Sequence, residues 1–416
     1  MPEYYDPMLF MSTPDHPNTM GVVVVLKEPV DGELLSSVVG ELRERFPYYY
    51  VRARAVGNDL ELIPNPLPMT VRKSWEPINF NSQASNYHLA AWKYEGTRIA
   101  FEIAHSLTDG AGVLPYIKSA MYLYLTRKTG ERLDPTGFRL PGDRIPQSET
   151  GNPFAEVQAE IDHAEAPLYV KEPTADFFRL NDGPRDPQMI YLKLPESQVM
   201  KFCHENDGSP NVFFSVLLAR AARRADPENE KTISVAVAID HKPMLGNTDN
   251  YRNCVNVIEL DFPRNRPLDD IMKACTMARG QVMLQAQREN SLWEMKQREM
   301  RHSKLAQMPL EMKLGVAAKS AGSVRWSLSV SYANSRTFGP LDPYIAELYV
   351  LSEAGVIDAI LEIACINHCF FLAVDQTFSS DHFMNLFVDE LSQNGIDAEV
   401  MGREPARLCG IEPYAV

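Results

Sequence analysis

Residues 101–110 read FEIAHSLTDG, and this segment is the most informative part of the chain. A β-prone run over 98–103 leads directly into it, and apolar residues at helical spacing follow over 114–125. The order predicts that His105 lies at the end of a strand, in a tight turn before a helix. Such a turn can hold a reactive side chain on a rigid scaffold.

The chemistry of the segment leaves two interpretations open. An imidazole is well suited to move a proton near neutral pH, which favours a catalytic His105. A histidine that only hydrogen-bonds its own turn fits the same residues equally well, because most histidines are structural. Asp109 and Gly110 are predicted to form the turn itself, since glycine adopts positive φ without strain.

Length and charge restrict the class of protein. A chain of 416 residues exceeds the usual size of one core, so two domains are expected. The 45% hydrophobic and 23% charged residues are ordinary for a soluble globular protein. A net charge of −14 argues against nucleic acid and against an anionic membrane as partners, although a local basic pocket remains compatible with it.

No targeting or spanning segment is recognised. The start, MPEYYD, lacks the features of a signal peptide, and the early apolar run over 21–26 is too short to cross a bilayer. A cytoplasmic protein is therefore expected. The six cysteines are scattered and are interpreted as reduced core residues. Cys365, His368 and Cys369 lie close in sequence but lack a second ligand cluster, so no metal site is predicted.

Periodicity predicts a first half with the order strand, helix, hairpin, hairpin, His turn and helix. The elements are expected at 20–28, 32–45, 48–56 with 59–63, 86–92 with 98–103, and 114–127. Residues 129–188 are rich in proline and glycine and are interpreted as a loop-rich connector between the halves.

The second half is expected to repeat a similar mixture. Strands are predicted at 189–194, 232–239, 256–262, 328–332, 347–351, 359–366, 370–375 and 398–401, and helices at 198–205, 212–225, 267–312 and 380–395. We therefore predict an α/β (α+β) protein of two lobes, 1–180 and 181–416. Each lobe is a mixed sheet with helices on one face, and a central cleft lies between the lobes in a V-shaped arrangement.

The segment from His105 to Gly110 also matches a family pattern. His-x-x-x-Asp-Gly after a strand and before a helix resembles the hallmark of the chloramphenicol-acetyltransferase-like acyltransferases. That superfamily includes condensation domains of peptide synthetases, plant CoA-dependent acyltransferases, polyketide-associated acyltransferases and alcohol acetyltransferases. Weaker patterns over nearly the whole chain agree, and the resemblance is greatest to bacterial alcohol-acetyltransferase-like proteins. The supporting segments are 42–54, 211–219, 235–256 and 331–339.

Two departures qualify the resemblance. Condensation domains usually carry two adjacent histidines, whereas Ala104 precedes His105 here, as in the plant enzymes that keep only the second histidine. The plant Asp-Phe-Gly-Trp-Gly motif is absent, with Thr337-Phe338-Gly339 at best a fragment of it. No carrier-protein or adenylation domain is recognised, so a stand-alone protein is expected.

The resemblance implies a secondary-metabolism acyltransferase without a bound cofactor. The acyl donor would be acyl-CoA or a phosphopantetheine thioester on a carrier protein, and the acceptor a small alcohol or amine. His105 would be the general base, while Asp109 would tie down the turn, usually with an arginine. Ser331 and Asn334 are candidates for lining the site, and the basic run over 296–313 could meet CoA phosphates or be a solvated helix face.

Three functions stay open on this basis. The first is CoA-dependent acyl transfer, and the second is amide-bond formation with carrier-bound thioesters. The third is a catalytically silent relative that binds or scaffolds. A monomer is expected, because two fused lobes already supply the cleft that a trimeric relative builds between subunits.

Overall fold

The apolar runs of the sequence form two large mixed sheets and one hairpin in the computed structural model, which describes residues 8–13, 16–180, 183–266, 268–321, 323–332, 337–412 and 414. The strands are β1 (Thr19–Leu26), β2 (Val51–Val56), β3 (Asp59–Pro64), β4 (Val71–Lys73), β5 (Ala90–Glu95), β6 (Arg98–Ala104), β7 (Arg185–Pro195), β8 (Ile233–Asp240), β9 (Val255–Phe262), β10 (Leu328–Tyr332), β11 (Ile345–Ser352), β12 (Ala359–Ile366), β13 (Cys369–Phe378) and β14 (Glu399–Pro405).

Helices of very different length connect these strands. They are α1 (Met8–Met11), α2 (Gly32–Leu42), α3 (Gly110–Thr129), α4 (Gln147–Thr150), α5 (Gln158–His163), α6 (Glu196–Glu205), α7 (Pro210–Ala225), α8 (Lys242–Leu245), α9 (Ile271–Gln285), α10 (Arg288–Ala306), α11 (Leu310–Ala321) and α12 (His382–Gln393). No helix in the described ranges is both long and apolar enough to cross a membrane.

The first sheet has the strand order β11-β1-β6-β5-β4. Strand β1 lies antiparallel to β6, with Thr19 opposite Ala104, and β11 pairs with the other edge of β1. Because β11 comes from the C-terminal part of the chain, this sheet contains strands from both predicted halves. The strand that delivers His105 therefore lies two strands away from residues 345–352.

The second sheet has the order β14-β7-β13-β12-β10-β8-β9. Its centre is parallel, since β10 pairs with β8 on one side and with β12 on the other. The flanking strands are antiparallel, as in the hairpin of β12 and β13. Parallel strands covered on both faces read as continuous apolar runs, which explains the appearance of β8 in the sequence.

Each large sheet is associated with its own core. Helix α3 buries Tyr116, Ile117, Ala120 and Tyr124 against the first sheet, and α7 with α12 contributes to the core of the second. Helix α3 ends at Gly130, whose φ of 73° is the left-handed conformation that glycine accepts at helix ends. Burial of these apolar faces fixes α3 in place, and α3 in turn positions the turn before it.

The predicted fold class is confirmed, since both large sheets are mixed and carry helices. Most strand predictions agree with the structure to within a few residues. The long helix expected over 267–312 consists of the three helices α9, α10 and α11, and the loop-rich connector contains the short helices α4 and α5. The boundary between lobes 1–180 and 181–416 remains a prediction.

Candidate active site

His105 follows the last residue of β6, as the sequence predicts. Its backbone N–H donates to the carbonyl of Asn18 at 2.8 Å, which continues the β1–β6 ladder by one residue. The ring nitrogen Nδ1 lies 2.9 Å from the carbonyl oxygen of Thr108. A carbonyl only accepts hydrogen bonds, so Nδ1 carries the proton and Nε2 is the basic nitrogen of the neutral ring.

Asp109 is the N-cap of α3 and is fully buried. One carboxylate oxygen accepts from the backbone N–H of Gly112 at 2.8 Å, and the other accepts from that of Cys254 at 2.8 Å. The ammonium of Lys242 donates to the same carboxylate, and both side chains are 0% exposed. The partner of Asp109 is thus a lysine, and the arginine expected from the resemblance is wrong.

The glycine that matters sterically is Gly112. Gly110 is the first residue of α3, and its φ is not positive, so the expectation that Asp109-Gly110 forms a left-handed turn is wrong. A Cβ on Gly112, in contrast, would lie 2.2 Å from the carbonyl oxygen of Tyr251 and 2.5 Å from Thr108 Oγ1. The first turn of α3 therefore approaches the 240–254 segment too closely for any side chain.

Thr108 connects the His turn to the same segment. Its hydroxyl lies 2.6 Å from the carbonyl oxygen of Tyr251 and 3.1 Å from the hydroxyl of Tyr49. The Tyr251 ring in turn stacks on Tyr48 with 4.0 Å between ring centroids. The segment between β8 and β9 thus fixes Thr108, whose carbonyl oxygen accepts a hydrogen bond from His105 Nδ1.

A cavity of about 550 Å³ opens next to His105. Residues from both large sheets line it, and most of them are apolar. Its polar lining residues include His105, Asp240, Ser331, Ser352, Glu353 and Glu362. The cavity volume lies within the range of small-molecule sites, and an apolar wall with few polar groups is typical of them.

Ser331, a lining candidate from the sequence analysis, is the penultimate residue of β10 and lines this cavity. Asn334, the other expected lining residue, lies outside the described residues. The role of Ser331 in binding or in stabilising charge stays a prediction.

Glu362 faces the same cavity and was not anticipated. It lies on β12, its side chain is 4% exposed, and Oε1 accepts from the hydroxyl of Ser352 at 2.6 Å. Burial raises the pKa of the Glu362 carboxyl, while the hydroxyls of Ser352 and Ser331 and the nearby His105 favour its ionised form. A carboxyl and an imidazole from different sheets thus share one cavity.

Burial also raises the pKa values of two further carboxyls on the cavity wall. The pKa of Glu353 rises to about 7, and that of Asp240 rises despite its contact with Lys242. None of the described residues that line the cavity is a lysine or an arginine. The described cavity lining thus carries several carboxyl groups and no basic side chain other than histidine.

Two lysines of the basic run over 296–313 contact other segments of the protein, and no lysine or arginine of the run is among the described residues that line the cavity. Lys296 Nζ donates to the backbone carbonyls of Asp162 and Ala164 at 2.9 and 2.7 Å. Lys313 is buried, with Nζ 3.5 Å from a carboxylate oxygen of Asp59. Both ammonium groups already contact protein oxygens, so neither is free to bind a CoA phosphate in this structure.

The cysteines and His368 show no arrangement suited to a metal ion. Cys365 is buried in β12, whereas the His368 side chain is 97% exposed in the β12–β13 turn. Within the described ranges, no three potential ligands of the His, Cys, Asp and Glu type lie close enough to hold a metal ion.

The sequence analysis selected His105 and Asp109 as candidate site residues, but it did not predict the residues that contact them. Lys242 and Tyr251 lie in the polar segment between two predicted strands, and a lysine directly after Asp240-His241 was the available signal. Glu362 gave a clearer signal, since it is a lone charge in the apolar strand 359–366. Such a charge indicates either an ion pair or a site.

The arrangement can be compared with known proteins once this geometry is established. The chain matches no model of a protein family, and a comparison with curated proteins gives no match. Comparison with solved structures gives many similar folds. Polyketide synthase associated protein 5 from Mycobacterium tuberculosis is similar over 92% of this chain and 96% of its own, with 13% identity and a TM-score of 0.60.

Two further structures cover nearly the whole chain. The condensation domain of the Monacolin K polyketide synthase MokA covers 94% of this chain and 96% of its own, at 12% identity and a TM-score of 0.54. F. sporotrichioides TRI101, complexed with coenzyme A and T-2, covers 95% and 98%, at 12% identity and a TM-score of 0.55. The chain thus shares the fold of these structures, which is the fold that the resemblance implied.

Proposed function

We propose that the protein transfers an acyl group from a thioester donor to a hydroxyl or amine acceptor, with His105 as general base. The observation that carries this proposal is the tautomer of His105. Its Nδ1 is held as a donor by the Thr108 carbonyl, so Nε2 is the basic nitrogen at a cavity of about 550 Å³. The fold shared with TRI101 in complex with coenzyme A supports a thioester chemistry.

The reaction would proceed in two proton transfers around one acyl transfer. The acceptor oxygen or nitrogen attacks the thioester carbonyl carbon while His105 Nε2 removes its proton. The carbon–sulfur bond then breaks, and the imidazolium returns the proton to the leaving thiolate. The products are an ester or amide and a free thiol, and the enzyme regains its neutral histidine. A general base of this kind contributes about 10²–10⁴-fold in rate.

Asp109 and Gly110 have structural roles in this proposal. Asp109 caps α3 and pairs with Lys242, so it does not relay charge to His105. Gly110 begins α3 and lines the cavity beside His105. Ser331, which lines the same cavity, is our candidate for contacting substrate or the developing oxyanion.

Acyl-CoA is the donor that we propose first. A carrier-bound phosphopantetheine thioester is the second candidate, and one observation favours it. Lys296 and Lys313 of the basic run bind protein groups, and the described cavity wall lacks lysine and arginine, so phosphates of CoA would have to be bound outside the cavity. Condensation domains of polyketide and peptide synthetases share the fold, which is compatible with either donor.

The proposal is tested by measuring thiol release from acetyl-, butyryl- and longer acyl-CoAs with a panel of alcohols and amines. We expect release that needs an acceptor and that falls at least 100-fold in His105→Ala. His368→Ala, which makes the same change at an exposed position in the β12–β13 turn, is the matched control and should retain activity.

Other outcomes separate the alternatives. Activity that survives in His105→Ala would contradict the mechanism. Silence of the wild type with all acyl-CoAs, followed by transfer from an acyl-loaded carrier protein, would replace CoA by the carrier-bound donor. Silence with both donors, in a folded protein that still binds acceptors, would indicate a binding or scaffolding relative instead of an enzyme.

A further inference from the structure

Glu362 is a buried carboxylate with an incomplete set of partners. Its Oε1 accepts from Ser352, but Oε2 has no partner with hydrogen-bond geometry in the described part of the chain. A buried carboxylate oxygen without a hydrogen bond costs more free energy than a buried neutral polar atom without one. Such a group needs a physical explanation, and a bound ligand, ion or water that supplies the missing hydrogen bond is one.

Two other buried carboxylates have cationic partners, whereas Asp375, which also lacks one in the described part of the chain, lies outside the cavity lining. Glu102 pairs with Lys93 at 2.6 Å, and Glu149 pairs with Arg45 at 2.6 Å, all four side chains being nearly unexposed. Glu362 makes no ion pair within the described residues, although it is equally buried. What distinguishes Glu362 is that it lines the cavity, where a bound molecule can supply the missing positive charge.

The sheet geometry sets the distance between this carboxylate and His105. Met20 on β1 lies between Ser352 on β11 and Ile103 on β6, so Ser352 and the end of β6 are two strands apart. Neighbouring strands are about 4.8 Å apart, which places their backbones roughly 10 Å from each other. Because Ser352 binds Glu362, the carboxylate and the imidazole reach the same cavity from different strands.

We propose that Glu362 binds a positively charged amino group of the acceptor, while a second nucleophilic group of the same molecule lies at His105. The acceptor is therefore an amino alcohol or a diamine in its cationic form. This inference rests on the proposed function and names its substrate class. The bound ammonium keeps its proton and is not acylated, and the proton of the attacking group goes to His105.

The cavity charge supports the same class of acceptor. Glu353 and Asp240 lie on the wall with Glu362, and no lysine or arginine among the described lining residues opposes them. Carboxylates in a partly apolar cavity attract a cation and repel an anionic acceptor. The apolar remainder of the wall suits an alkyl chain between the two polar groups.

The test compares 6-aminohexan-1-ol with hexane-1,6-diol, which differ in charge at one end. In the acyl-transfer assay we expect kcat/KM for the amino alcohol to exceed that for the diol by about 10- to 100-fold, as a charge-assisted hydrogen bond of ordinary strength provides. In Glu362→Gln the ratio should fall close to one. Glu347→Gln on β11, outside the cavity lining, is the matched control and should keep the preference.

A binding measurement separates failure of this inference from failure of the proposed function. Calorimetry with the His105→Ala variant needs no turnover, and it should show tighter binding of 6-aminohexan-1-ol than of the diol. Equal affinities, or a preference that survives in Glu362→Gln, would overturn the inference even if acyl transfer occurs. Preferential, Glu362-dependent binding without any transfer would retain the cation site and reject the acyltransferase. The transfer assay compares two acceptors with the wild-type protein, so that comparison does not require any variant to fold.

Discussion

The ammonium of Lys242 donates to the carboxylate of Asp109 at a point where neither side chain is exposed to solvent. Asp109 caps the helix after the His turn, and Lys242 begins the short helix α8 directly after β8. The pair therefore joins the strand end that carries His105 to the polar segment of the second sheet. A backbone hydrogen bond from Cys254 to Asp109 at 2.8 Å strengthens the same connection. The position of the imidazole thus depends on both sheets.

Lys242→Met should destabilise the protein strongly, because it leaves Asp109 as a buried charge without its cation. Removal of one partner from a buried pair costs about 3–5 kcal/mol in free energy of unfolding. Chemical denaturation of the purified variant measures the loss. Lys201→Met is the matched control, since Lys201 makes an exposed pair with Glu205 at 3.9 Å, and its removal should cost about 0.5 kcal/mol or less. Equal effects of the two changes would contradict the importance of the buried pair.

Gly112→Ala should damage both stability and the candidate site. The added Cβ would lie 2.2 Å from the carbonyl oxygen of Tyr251, a backbone atom that cannot rotate away. We expect a loss of at least about 2 kcal/mol, as for overpacking of a close contact, and reduced acyl transfer. Gly40→Ala in α2 adds the same atom where nothing lies within 4 Å, and it should stabilise by about 0.5–1 kcal/mol through helix propensity. A neutral Gly112→Ala would show that α3 and the 240–254 segment are not in such close contact.

Thr108→Val tests whether the His turn needs its hydroxyl anchor. The change keeps the shape but removes the hydrogen bond to the Tyr251 carbonyl, so an acceptor loses its buried partner and about 1–3 kcal/mol of stability should be lost. Because Thr108 acts through the orientation of His105, kcat should fall while KM changes little, and His105→Ala should show no further response to Thr108→Val. Thr126→Val on α3 is the control, as its buried hydroxyl has no hydrogen-bond partner in the described structure. A loss in Thr126→Val as large as in Thr108→Val would point to a general effect of the substitution.

The strand, turn and helix around His105 could be predicted from the sequence, because strand and helix patterns depend on residues close together in the chain. The run over 98–103 and the helical spacing after 114 gave the strand–turn–helix that the structure has in β6 and α3. The same spacing could not reveal that Gly112, rather than Gly110, is the sterically constrained glycine. That constraint comes from Tyr251, which is 139 residues away in the chain and meets α3 only in the fold.

Long-range pairings account for the remaining differences. Periodicity predicted β11 as a strand, but not that it would join the sheet of β1 and β6, since register between distant strands leaves no local pattern. The ion pair of Lys242 with Asp109 could not be predicted, because it joins two segments that are distant in sequence. Glu362 carries a clearer local signal, because it is an isolated charge within an apolar strand.

Asp375 should make the stability of the protein depend on pH. It lies on β13 with one oxygen accepting from the backbone N–H of Ala354 at 2.8 Å, and its other oxygen has no partner in the described structure. Burial, together with the charge of Glu353, raises the pKa of Asp375 to about 7. The unfolded chain has a carboxyl pKa of about 3.9, so folding takes up a proton between the two values.

A carboxyl whose pKa is raised on folding destabilises the folded state as the pH rises, because the unfolded chain ionises more readily. Below about pH 4 both states hold the proton, and between about pH 4 and 7 stability falls by about 1.4 kcal/mol per pH unit. We therefore expect the free energy of unfolding to drop by roughly 2–3 kcal/mol from pH 5 to pH 7 on account of this group. Urea denaturation at both pH values should show a smaller drop in Asp375→Asn, whereas Asp186→Asn at an exposed position should follow the wild type. A drop of the same size in all three proteins would exclude Asp375 as its source, and a rise in stability toward pH 7 that disappears in Asp375→Asn would reverse the sign proposed for its pKa shift.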